Sequence, residues 1–262
     1  MSRISDAFKN GKAFIPFITG GDPDLETTKK LILEIQKNGA DIIEVGIPFS
    51  DPIAEGEVIQ EADLRALNAG TTTDKLMDAL KEIKDQVTIP LIFMTYANVI
   101  FKYGTEKFLE RCNECGVSGI IVPDVPFEER EEMAPYCEKA GIDLIPLVAP
   151  TSKERIHKIA KSAQGYVYVV SSLGVTGVRD NITTDLGAMT KLVKEATDIP
   201  CAIGFGISKP EQAANVCKYA DGAIVGSAIV RIIAEHGKDA VPYVGEYVKS
   251  MKDACISVSE SL

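Results

Sequence analysis

Eight short apolar runs, amphipathic stretches between them and glycines where those stretches end predict an α/β fold in which parallel strands alternate with helices. Eight such repeats in roughly 250 residues make a (β/α)8 TIM barrel, with a doubly wound open sheet as the alternative. A short amphipathic N-terminal helix opens the chain. No Pro/Ser-rich linker, low-complexity tract or charge block interrupts residues 1–262, so a single domain is expected.

The strands are read near 13–19 (AFIPFIT), 41–46, 90–95 (PLIFMT), 118–122 (SGIIV), 142–148 (IDLIPLV), 165–170 (GYVYVV), 200–204 (PCAIG) and 222–225 (GAIV). Each is brief, rich in β-branched residues and bounded by Gly or Pro, as buried parallel strands are. Helices fit about 25–38, 60–85 with a break at Gly70, 104–115, 128–140, 152–162, 184–196, 208–219 and 238–252. Gly39, Gly116, Gly141 and Gly237 stand where helix C-caps are wanted.

With 45% hydrophobic and 25% charged residues, the chain can bury a sizeable core. A formal net charge of −10, without any basic stripe, argues against nucleic-acid binding. No apolar run reaches the length of a membrane span, and the first residues lack the apolar centre of a signal peptide, so a cytoplasmic location is expected. The six cysteines are read as packed thiols. Cys112 and Cys115 form a C-x-x-C, but the surrounding pattern is helical and neither a second pair nor a nearby His completes a zinc site.

One carboxylate breaks the apolar pattern. Glu44 lies within the run Asp41–Gly46, where burial would raise its pKa toward that of a proton donor at neutral pH. The structural alternative is a carboxylate that pairs with a Lys or Arg of a neighbouring loop. In a barrel the chemistry gathers at the carboxyl ends of the strands and in the loops that follow. After strand six comes SSLGVTGVRDNITT, long enough for a lid. After strands seven and eight come Gly204-Phe-Gly206 and Gly226-Ser227, glycine turns with a helix start, which suit a phosphate dianion.

Absences narrow the reaction. His157 and His236 fall in expected surface helices, no Lys lies within an expected strand, and no dinucleotide fingerprint is present. The polar residues left at strand ends are Glu44, Asp51, Glu55, Tyr96, Asp124, Tyr166, Tyr168 and Ser171, which points to carboxylate acid–base chemistry on a phosphorylated substrate. Carbon–carbon cleavage would then need an electron sink in the substrate, such as an indole ring protonated at C3.

Seven segments carry a resemblance along nearly the whole chain: Pro16-Phe-Ile-Thr-Gly-Gly-Asp-Pro23, Glu44-Val-Gly-Ile-Pro-Phe-Ser-Asp-Pro52, Tyr96-Ala-Asn98, Pro123-Asp-Val-Pro126, Gly174-Val-Thr-Gly177, Gly204-Phe-Gly-Ile-Ser208 and Gly226-Ser-Ala-Ile-Val230. In order and spacing the sequence resembles the α subunits of tryptophan synthase. The resemblance implies retro-aldol cleavage of indole-3-glycerol phosphate to indole and glyceraldehyde 3-phosphate. It implies no cofactor for this chain, and transfer of the indole to a pyridoxal-phosphate-dependent β subunit, in an α2β2 heterotetramer.

The same resemblance implies the roles of residues. Glu44 would move protons to indole C3 and from the glycerol hydroxyl, and Glu55 would accept the indole N–H. Phe17, Tyr96, Tyr168 and Thr176 would contact the substrate. Gly177, Gly204, Gly206, Gly226 and Ser227 would surround the phosphate. Asp51, Pro52, Asn98, Phe101 and Pro126 would touch the β subunit. Two positions depart from the family's pattern: Glu55 stands where an Asp is usual, and Glu57 where Pro is usual. One extra methylene changes the reach of the acid by about an ångström, enough to alter a rate by on the order of a hundredfold. The alternatives are therefore a stand-alone indole-3-glycerol-phosphate lyase, or a mainly regulatory subunit whose lyase activity has decayed.

Overall fold

The computed structural model describes residues 2–170, 186–204 and 206–258. Among these the strands are β1 (Ala13–Thr19), β2 (Ile43–Gly46), β3 (Leu91–Met94), β4 (Val117–Ile121), β5 (Asp143–Leu144), β6 (Leu147–Val148), β7 (Val167–Val170), β8 (Cys201–Gly204) and β9 (Gly222–Val225). All pair in parallel, in the order β5-β4-β3-β2-β1-β9-β8-β7-β6. The two ends of that order, β5 and β6, are halves of one expected strand, so the sheet curls round to meet itself across Ile145-Pro146. Pro146 has no N–H to give, which interrupts the strand. The pairing continues around it through Ile145 N–H to Ile120 O at 2.9 Å and Tyr168 N–H to Pro146 O at 3.0 Å. This is the expected TIM barrel, with its fifth strand broken in two.

Between and beyond the strands lie α1 (Arg3–Asp6), α2 (Leu25–Lys37), α3 (Glu57–Asn68), α4 (Thr73–Ile83), α5 (Ala97–Tyr103), α6 (Thr105–Cys115), α7 (Ala134–Ala140), α8 (Lys153–Lys161), α9 (Leu186–Ala196), α10 (Pro210–Cys217), α11 (Ser227–His236) and α12 (Val241–Ser257). The break expected at Gly70 separates α3 from α4. Helix α5 was not foreseen, because seven residues give too little periodicity to read. The segment expected as helix 128–140 begins as a 3-10 turn, Phe127–Glu132, and becomes α-helical only at Ala134. Gly116 (φ 84°) and Gly141 (φ 68°) end α6 and α7 in the left-handed region, which a side chain disfavours.

Strand parity divides the apolar residues into two layers. Phe14, Ile18, Ile43, Val45 and Phe93 face the helices, while Ile15, Ile42, Ile92, Ile121, Tyr166, Tyr168 and Ile224 fill the barrel. Glu44, two residues beyond Ile42, shares the interior parity, and in register it lies beside Phe17 of β1 and Ile92 of β3. The N-terminal helix closes the opposite end. Ile4 is fully buried there, and Ser5 Oγ donates to Gly165 O at 2.7 Å. All six cysteines are free and buried, with Cys112 and Cys115 packed on α6. No helix among the described residues is long and apolar enough to cross a membrane.

Candidate active site

A cleft opens at the carboxyl ends of the strands. Glu44 and Glu55 line it together with Phe17, Tyr168, Gly206, Gly226 and Ser227. The apolar remainder includes Ile59, Met94, Leu147, Ile207 and Ile224. These last were not singled out from sequence, since an apolar side chain at a strand end looks the same whether it lines a cleft or fills a core.

Glu44 is fully buried. Its Oε1 accepts the Tyr166 hydroxyl at 2.5 Å, and its Oε2 has no hydrogen-bond partner among the described residues. Burial pushes its carboxyl up to about 8, the Tyr166 hydrogen bond opposing the shift. At neutral pH the group therefore keeps its proton. Among the described residues no Lys or Arg pairs with it. Tyr166 is the functional neighbour that sequence reading left without a role. The signal was its spacing from Tyr168, which puts both rings on the interior face, with centroids 6.3 Å apart.

Glu55 ends the loop between β2 and α3 and is 6% exposed. Burial raises its carboxyl to about 7, its own and the Ala54 backbone N–H opposing this and the charge of Asp124 adding to it. Its Oε2 also lacks a hydrogen-bond partner among the described residues. Two carboxyl groups thus line one cleft, each with an uncommitted oxygen, and both titrate near neutrality. Such a pair is suited to moving a proton and holding a developing positive charge.

Tyr96 does not line the cleft. Its buried ring packs on Phe49 with centroids 5.2 Å apart, and its hydroxyl accepts the Ala54 N–H at 3.0 Å, so it braces the loop that carries Glu55. Asp124 accepts the Ala97 N–H at 3.0 Å and caps α5. On the phosphate side, Ser227 opens α11, whose first turn carries no acidic residue and whose backbone N–H groups and dipole favour an anion. Gly226 packs against Phe17, and Gly206 has φ 80°. Gly204 lies at the end of β8 outside the cleft lining, where an added Cβ would fall 2.3 Å from the Tyr168 hydroxyl. It makes room for Tyr168. Thr176, Gly177 and the rest of the expected lid lie outside the described residues.

Around the cleft mouth, Asp51, Asn98 and Pro126 are exposed, Pro52 is half-buried and Phe101 is 46% exposed. Ile53, at 73%, is the most exposed large apolar side chain among the described residues. It was not picked out from sequence. His157 and His236 lie on α8 and α11, outside the cleft lining. Among the described residues no group of three or more His, Cys, Asp or Glu is placed to hold a metal ion.

Buried carboxyls with raised pKa inside a parallel barrel, beside a helix start that suits an anion, fit the class of barrel enzymes that use side-chain acid–base chemistry. The comparisons with known proteins make this specific. Residues 4–255 match the family described as "Tryptophan synthase alpha chain", and the chain belongs to that family. It is 49% identical over 254 residues to the tryptophan synthase alpha chain of Lacticaseibacillus casei, covering 97% of this chain and 96% of the relative. The alpha chain of Methanocaldococcus jannaschii is 50% identical over 230 residues, covering 87% and 82%. Among solved structures, the tryptophan synthase subunit alpha of Legionella pneumophila superposes with a TM-score of 0.89 at 37% identity, covering 99% of each chain. A chain of the tryptophan synthase complex from Pyrococcus furiosus gives 0.84 at 34% identity, covering 93% of this chain and 98% of that one.

Proposed function

We propose that Glu44 and Glu55 carry out the reaction of a tryptophan synthase alpha chain, the cleavage of indole-3-glycerol phosphate, with distinct tasks set by their surroundings. Glu44, protonated at neutral pH, gives its proton to indole C3. The ring becomes cationic, and the Glu55 carboxylate accepts the indole N–H and steadies that charge. The bond from C3 to the glycerol carbon then breaks, its electron pair returns to the ring, and the hydroxyl proton passes to the Glu44 carboxylate. Indole and glyceraldehyde 3-phosphate result, and Glu44 is again an acid. The proton balance closes on one residue. The observation that carries this reading is the uncommitted Oε2 on each buried acid within one cleft.

Phe17 and Tyr168 would bound the indole, and Gly206, Gly226 and Ser227 would hold the phosphate at the start of α11, with Gly204 shaping that end and Thr176 and Gly177 closing over it. Tyr96 would act through the loop it braces. The face bearing Asp51, Pro52, Ile53, Asn98, Phe101 and Pro126 would dock a PLP-dependent β subunit, and the assembly would be an α2β2 heterotetramer in the cytoplasm. Exposed Ile53 and Phe101 around the cleft mouth suit such a contact.

The test is indole release from indole-3-glycerol phosphate by the purified chain, with and without a tryptophan synthase β subunit. Slow release that rises with the partner supports the proposal. Fast release alone would favour the stand-alone lyase, and no release from folded protein under either condition would favour the regulatory subunit.

A further inference from the structure

Asp22 belongs to the segment Pro16–Pro23 but takes no part in the chemistry above. It sits in the loop after β1, is fully buried and accepts two parallel bonds from Arg65 of α3, Nε to Oδ1 and Nη2 to Oδ2, each at 2.8 Å. Its mount is fixed, since Gly21 N–H donates to Thr28 Oγ1 at 2.8 Å and Asp22 N–H to Thr19 O at 3.3 Å. Among the described residues no other ion pair joins α3 to another element. At its other end α3 runs straight into the candidate acid. Ile59 N–H and Gln60 N–H donate to Gly56 O at 3.0 and 3.1 Å, and Gln60 Nε2 donates to Glu55 O at 2.8 Å. Phe17 of β1 and Ile59 of α3 pack in one cluster, and both line the cleft.

We propose that Arg65 and Asp22 are positioning residues of Glu55: their two-bonded fork fixes how α3 lies against the end of β1, and so where Glu55 stands relative to the Phe17 wall of the cleft. The loop after β1 holds Asp22 while β1 itself presents Phe17, and α3 holds Arg65 while presenting Ile59 and the Gln60 anchor on Glu55. A helix shifts as a rigid element, so a change at Arg65 is passed along α3 to Gln60 and Glu55. A buried ion pair adds little net stability over apolar packing of the same volume. What the fork adds is direction. Two parallel bonds from a planar guanidinium set an angle as well as a distance, whereas an ammonium supplies only a point charge. The inference rests on the role proposed for Glu55.

The experiment measures kcat and KM for indole release by the full-length chain carrying Arg65→Lys, Glu55→Asp or both, with folding checked by circular dichroism. Arg65→Lys keeps a positive charge beside Asp22 but not the fork. It should lower kcat about tenfold with KM within about twofold of wild type, because the proposed phosphate seat lies on α11 and the turn after β8. In the Glu55→Asp background, where the carboxyl is already withdrawn, the same change should cost kcat no more than about twofold. Wild-type kcat in folded Arg65→Lys overturns the proposal, since a simple ion pair would then serve as well as the fork. An undiminished loss in the Glu55→Asp background overturns it too, since the fork would then act other than through Glu55. Should Arg65→Lys fail to fold, Asp22→Asn, which leaves Arg65 a single oxygen, takes its place with the same two readings. Full turnover by Glu55→Gln would instead remove the reading on which the inference rests.

Discussion

Tyr166 donates its hydroxyl to Glu44 Oε1 across the barrel interior, from a ring that is fully buried and packed at 5.7 Å on Phe8 and 6.3 Å on Tyr168. The donor is rigid, so one oxygen of Glu44 is fixed and the other is left for the substrate. The bond also favours the ionised carboxylate, which moderates the rise that burial causes. Tyr166→Phe should therefore raise the Glu44 pKa and move the alkaline limb of kcat/KM for indole release to higher pH. It should also lower kcat about tenfold, the scale of one hydrogen bond to a charged group. An unmoved alkaline limb in a steady-state pH series would separate Tyr166 from the titration of Glu44.

The Glu44 carboxyl costs stability as well as supplying chemistry. Its pKa is raised on folding, from 4.5 to about 8, so the folded state holds a proton that the unfolded state releases across that window. Stability therefore falls as pH rises from about 4.5 to about 8. Glu44→Gln removes that dependence. The variant should lose indole formation yet match the wild type near pH 4.5, then exceed it by on the order of 3 kcal/mol at pH 7. Urea unfolding at several pH values reads the difference directly. A constant difference across the range would mean that Glu44 is not the group whose protonation is linked to folding.

How much of this was legible in the sequence depends on the kind of signal. Strand parity and apolar runs made the barrel readable, since Ile42 and Glu44 share a face whatever the tertiary detail. Pro146 splitting the fifth strand was also present as a residue, but its consequence depends on the neighbours β4 and β7, which only three dimensions supply. Glu44 stood out because a charge in an apolar run is rare. Asp63, which is 5% exposed on α3, did not, because an acid on an amphipathic helix looks solvent-facing and its burial is settled only by tertiary packing. Tyr96 was assigned to the substrate by resemblance, yet its hydroxyl is engaged by Ala54.

Glu55 brings the longer acid to a position whose backbone has little freedom to adjust. Ala54 N–H on the Tyr96 hydroxyl and Glu55 O on Gln60 Nε2 anchor the chain on both sides of its Cα. In Glu55→Asp the carboxyl should withdraw by about an ångström from where the indole N–H is proposed to lie, while the loop stays put. Misplacement on that scale costs up to about a hundredfold, so kcat should fall between about tenfold and a hundredfold with KM nearly unchanged. Single-turnover indole release isolates the step. An equal or faster rate in the Asp variant would mean that the extra methylene is a handicap rather than part of the fit, and that the anchors at Tyr96 and Gln60 yield to the shorter acid.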